Sequence, residues 1–154
     1  MHELPESSTD LVKVTIPLPT DAWHGRATET LWAEALGANR FRLRNVPFFV
    51  CGLSFGDVVE VSASEGVVQV APSGHSTYRI FVSEGVSSVE EWLSRLHALG
   101  VTYERATQRL IALDVSRDAD PFRVYALLEL GSAEGIWDFE EGHYGHEQSA
   151  RQGS

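Results

Sequence analysis

Cysteine is nearly absent: Cys51 is the only one in 154 residues. No intramolecular disulfide and no all-cysteine metal site can form. Cations are scarce as well, with 12 Lys and Arg against 22 Asp and Glu and a formal net charge of -10. Such a field repels a phosphate backbone, so no nucleic-acid partner is expected, whereas a basic protein fits it. No apolar run approaches the ~20 residues of a membrane helix, so no membrane association is expected either. The opening MHELPESSTD has neither the basic start nor the apolar centre of a secretory leader. A cytoplasmic location is the expectation that follows.

What is present suffices for a core. The hydrophobic content of 43% supports one domain or two small subdomains. Residues 1–10 are polar and read as a flexible tail. From Leu11, Val12, Val14 and Ile16 alternate with Lys13 and Thr15, the period of a half-buried strand. Further strands are expected at 30–35, 40–44, 57–63 and 67–71, separated by Gly- and Pro-bearing turns. Together they predict a β-barrel-like subdomain over 11–72. A second rhythm follows. A strand at 77–82 leads to a helix with Val89, Trp92, Leu93, Leu96 and Leu99 at helical spacing, opened by a capping box at Ser87 and Ser88. A hairpin comes next, over 101–106 and 110–115. A second helix begins at Pro121 behind Asp118 or Asp120, with Phe122, Tyr125 and Leu128 on one face, Val124, Leu127 and Leu130 flanking it, and Gly131 and Gly135 at its end. The last strand spans 136–140. The order βαββαβ predicts a ferredoxin-like subdomain over 73–142, with both helices on one face of an antiparallel sheet. Residues 143–154 read as a second flexible tail, so the expected class is α+β.

The candidate chemistry sits mostly in Ser73-Gly74-His75-Ser76-Thr77. His75, flanked by the hydroxyls of Ser76 and Thr77, has the makings of a general base or ligand anchor. It equally suits a structural histidine that ties the two subdomains together. Asp57, Arg79 and Arg42 are the ligand-binding candidates around it, Arg42 from the run Arg40, Arg42, Arg44, which reads either as a solvated strand face or as an anion site. His-Ser-Thr matches one half of a two-histidine phosphoesterase signature, and the other half is missing. Glu140, Glu141, His143 and His146 have metal-ligand chemistry but loose spacing on a polar tail, so neither metal nor cofactor is expected. Cys51, between Val50 and Gly52, lacks a neighbour to activate its thiol.

Four strings in order, Asn45-Val46-Pro47-Phe48-Phe49, Gly56-Asp57-Val58-Val59, Ser73 to Arg79 and Glu140-Glu141-Gly142, resemble those of the bacterial domain-of-unknown-function family 4265. The resemblance covers about residues 11–142. It implies a small bacterial cytoplasmic protein and brings no settled activity.

Two functions follow from these readings. The first is a non-catalytic acidic binding or regulatory protein that engages a protein partner through Trp137, Asp138, Glu140 and Glu141 on the last strand, with a homodimer through the open sheet face as a variant. The second is a small enzyme or ligand-binding protein with a pocket between the subdomains and His75 in it.

Overall fold

The computed structural model describes residues 11–146; the tail expected over 1–10, and the part of the second tail from 147 onward, lie outside the described residues. The chain is mixed α+β, with two antiparallel sheets and two helices. Strands β1 (Leu11–Pro17), β2 (Thr28–Gly37), β3 (Arg40–Leu43), β4 (Val58–Ser62) and β5 (Gly66–Ala71) form the first sheet. They lie in chain order, each antiparallel to the next. The alternation read from the sequence is what folds: Val14 and Ile16 on β1 and Leu31 and Ala33 on β2 are buried, while Lys13, Thr15 and Trp32 face outward.

The expected barrel does not close, because β1 and β5 lie at opposite ends of the sheet and do not pair. The physical reason is a plug. The apolar face of the sheet is covered by the connection between β3 and β4, whose Val50 and Leu53 join Val14, Leu18, Leu31, Leu43 and Val59 in one core.

The second sheet contains β6 (Ser76–Val82), β7 (Val101–Arg105), β8 (Leu110–Val115) and β9 (Trp137–His143), with α1 (Val89–Ala98) after β6 and α2 (Pro121–Ala133) after β8. Its strand order is β7-β8-β6-β9. Tyr78, Ile80, Val82, Ile111, Leu113 and Val115 share one face and pack against Trp92, Leu93 and Leu96 of α1 and Val124, Leu127 and Leu128 of α2. The residues between them, Thr77, Arg79 and Asp114, point the other way.

Four local expectations are corrected. Ser88 is the N-cap of α1 but makes no side-chain cap bond, because its backbone (φ -98, ψ 11) is not extended; its carbonyl accepts from the Glu91 and Trp92 N–H groups instead. α2 is capped by Asp120, which accepts from the Phe122 N–H, with Pro121 at the first position. Its buried face, however, is Val124, Leu127, Leu128 and Gly131, while Phe122 is 77% exposed. Gly131 lies within the helix and does not end it: the indole of Trp137 lies against it, where an added Cβ would stand 2.5 Å from the ring. Trp137 is 1% exposed and donates from Nε1 to the Leu128 carbonyl. It therefore belongs to the core and cannot serve as partner surface.

No helix among the described residues is long and apolar enough to cross a membrane.

Candidate functional site

The face of the second sheet turned away from the helices is not open, which corrects the expectation of a docking or homodimer surface there. It is covered by residues 45–57, and the junction is polar. A segment without regular structure must find partners for its backbone groups elsewhere, and here they come from buried charges. Glu29, on the apolar side of β2, accepts from the N–H groups of Phe48 (2.7 Å), Phe49 (2.9 Å) and Val50 (2.9 Å). Glu104 on β7 accepts from the Val46 N–H and the Asn45 amide. Burial raises its carboxyl above the ordinary range, and those two hydrogen bonds pull it back. Asp57, fully buried, accepts from the N–H groups of Ser54 and Ser73 and from Gln69.

The carbonyls are met by Arg79, also fully buried. Its Nη1 donates to the oxygens of Pro47 (3.2 Å) and Val50 (3.0 Å), its Nη2 to Cys51 Sγ (3.5 Å), and its Nε to Glu140 across the β6–β9 register (2.8 Å). Gly142 makes room, since a Cβ there would stand 2.9 Å from Nη1. The Gly52 N–H donates to the Gly142 carbonyl, a bond that positive φ at Gly52 (+89°) allows.

The three residues singled out as catalytic candidates lie side by side at this junction. Thr77 Oγ1 donates to Ser54 Oγ (2.8 Å), which in turn meets His143 Nδ1 (2.8 Å). Ser76 Oγ accepts from the N–H groups of Gly145 and His146 and meets His146 Nδ1 at 2.7 Å. Both hydroxyls are fully buried. Residues 143–146, expected in the tail, are thereby folded: His143 ends β9, and Gly145 lies so close to the His75 carbonyl that a Cβ would collide with it.

His75 Nδ1 donates to Asp114 Oδ1 at 2.8 Å. That bond, opposed by burial and aided by the charges of Asp114, Asp57 and Asp118, raises its pKa above the ordinary 6.5. A raised folded value means that the pair's contribution to stability is complete below 6.5 and disappears as pH climbs through the folded value. The stability difference between wild type and His75→Asn should therefore shrink from pH 6 to pH 9 in urea melts. A difference that is flat or grows with pH would contradict the pairing.

Arg42, the third ligand candidate, lies apart on the outer face of the first sheet, paired with Glu34 at 3.5 Å. The metal-type residues diverge. Glu140 turns to Arg79 and Glu141 to Tyr78, on opposite faces of β9, while the His143 and His146 rings bond to hydroxyls.

Two cavities adjoin these elements. One, of about 420 Å³, lies where the two sheets meet and includes Trp23, Phe49, Cys51 and Glu140 in its lining, but not His75. The other, of about 800 Å³, opens on the helix side between the start of α2 and the end of β9 and is lined by Tyr78, Pro121, Phe122, Tyr125, Glu141, Tyr144 and His146. Tyr78 donates from its hydroxyl to Glu141 Oε1 at 3.3 Å. Burial first, then the charge of Glu141 and this bond, keep that hydroxyl protonated far above its ordinary range. The sequence points to Glu141 for a partner surface but not to the aromatic walls: Phe122 and Tyr125 read as one apolar helix face and Tyr144 as part of the tail.

Comparison with known proteins supplies a fold and a family. The family model for the domain of unknown function DUF4265 matches residues 29–139. A crystal structure of a hypothetical protein from Neisseria gonorrhoeae is similar, with a TM-score of 0.73 at 14% identity, covering 87% of this chain and 96% of that one. At that identity the likeness concerns the fold. No curated protein matches the chain.

Proposed function

Given that the chain belongs to the DUF4265 family, a domain of unknown function, we propose from its geometry that it is a non-catalytic binding or regulatory protein, docking a protein partner at the aromatic cavity between α2 and β9. One observation carries this reading. Phe122 is 77% and Tyr125 41% exposed at the mouth of a large cavity, beside Glu141. Two aromatics left out of the core next to a concave surface are what a recognition site presents. The hydroxyls of Ser76 and Thr77, by contrast, are occupied within the fold, which weakens the support for His75 as a catalytic base.

The second sheet, with its order β7-β8-β6-β9 and both helices on one face, is a ferredoxin-like subdomain over 73–142, and 11–72 is its companion. The setting is a bacterial cytoplasm, in keeping with a single cysteine and an acidic composition. The second reading, a ligand site between the sheets, is favoured by the smaller cavity, in which Cys51 and Glu140, and not His75, would be the polar anchors.

A photo-crosslinking residue in place of Phe122, introduced in the native host, tests the docking surface. A discrete protein adduct that is lost on Tyr125→Ala is the expected result. The same adducts from a control position at Thr15, on the outer face of the first sheet, would overturn it.

A further inference from the structure

We infer that the group received by the aromatic cavity is the ammonium of a lysine side chain on a basic segment of the partner. The inference rests on the cavity being the docking surface and concerns what that surface recognises.

The walls are aromatic. Tyr78 lines the buried floor and Phe122, Tyr125 and Tyr144 the rest, and an aromatic face carries the negative part of the ring quadrupole, which attracts a cation. Glu141 is the charged residue of the lining, and no Lys or Arg shares it. One of its oxygens accepts from Tyr78, and the carboxylate has a second oxygen with which to take an N–H from the guest. The His146 ring is engaged within the fold: its Nδ1 meets the Ser76 hydroxyl, and its Nε2 donates to the Ser116 carbonyl at 2.9 Å.

Ring geometry selects among cations. Tyr78 and Tyr125 have centroids 6.3 Å apart and planes inclined at 56°. The two rings pack on each other and leave no parallel pair of faces for a flat guanidinium; with one Glu141 oxygen already taken by Tyr78, the bidentate pairing that favours arginine is lost as well, whereas an ammonium needs a single acceptor. The net charge of -10 steers a basic segment toward the protein. One feature opposes a cation: the positive end of the α2 dipole lies at Pro121. Asp120, the N-cap, places a carboxylate at that end and offsets it.

The test uses the full chain and a matched pair of probes, choline and its neutral isostere 3,3-dimethylbutan-1-ol, followed by NMR at the amides of Phe122, Tyr125, Glu141 and Gly145. Choline should bind about tenfold more tightly than the isostere, and Tyr125→Ala or Glu141→Gln should remove most of that preference. Both side chains lie at the cavity and outside the core, so the variants should fold. Gly-Ser-Lys-Lys-Ser-Gly should in turn bind better than the same peptide with norleucine in place of lysine.

Equal binding of choline and the isostere overturns the ammonium and leaves the cavity as an apolar docking site, which the crosslink from position 122 judges separately. No shift with either probe at millimolar concentration also overturns it. A choline preference without a lysine preference overturns the side-chain source in favour of a small quaternary amine.

Discussion

Arg79→Leu should cost about 3–5 kcal/mol of folding stability, read as a lower urea midpoint at unchanged slope. The guanidinium is fully buried, and removing it strands three acceptors at once: the carbonyls of Pro47 and Val50 and the carboxylate of Glu140. Leucine replaces the stem and none of the donors. Each buried acceptor left without a partner costs about 1–3 kcal/mol, and Glu140, partly exposed, can turn to water and limit the loss. Arg79→Lys should recover only part, because one ammonium cannot reach partners set in three directions. A loss below about 1 kcal/mol for the leucine variant would mean that the guanidinium does not hold the 45–57 segment in place.

Glu29→Ala should come second, at about 3 kcal/mol. One carboxylate accepts from three consecutive N–H groups, and alanine leaves all of them without a partner; those of Phe48 and Phe49 belong to partly buried residues that water can still reach. Glu29→Gln keeps one carbonyl oxygen and should lose about half as much. Glu29 and Arg79 grip the same short stretch, one by its donors and the other by its acceptors. The double variant should therefore fall short of the sum of the singles in a mutant cycle. Strict additivity would show the two grips to be independent.

These two residues also mark what could be read from the chain and what could not. Strand alternation on β1 and β2, the helix built on Trp92, Leu93 and Leu96, the Asp120–Pro121 start and the βαββαβ order were legible, because each is a local pattern of apolar spacing or capping chemistry. The signal at Glu29 was legible too but went unread. It shares its strand face with Leu31 and Ala33, and an acid on an apolar face needs buried donors to satisfy it. Arg79 has the opposite parity to Tyr78 and Ile80, which placed it on the second face of its sheet without showing what lay across it. The occupant, residues 45–57, comes from far along the chain, and no periodicity encodes such a contact. The face of α2 was misjudged for a related reason. Helical spacing admits both the Phe122–Tyr125–Leu128 row and the Val124–Leu128–Gly131 row, and the choice fell to the one with a glycine able to accept the Trp137 ring.

Four of the 22 acidic residues are drawn into the fold. Glu29, Asp57 and Asp114 are buried and Glu104 half-buried, all of them engaged by N–H groups or His75. Most of the acids remain outside the core, and among them Glu141 lines the aromatic cavity on the helix side.

The polar junction has a mechanical consequence. Two greasy surfaces can slide past each other at small cost, since their attraction follows the area in contact and ignores direction. Hydrogen bonds do not permit this, because they fail within about an ångström of displacement. With Glu29 of the first sheet and Arg79 and Glu104 of the second all seated on one short segment, the sheets are keyed together like a joint cut to a single alignment. A shift by one residue would release every bond at once, so relative motion of the two sheets is confined to small rattling about that one seat.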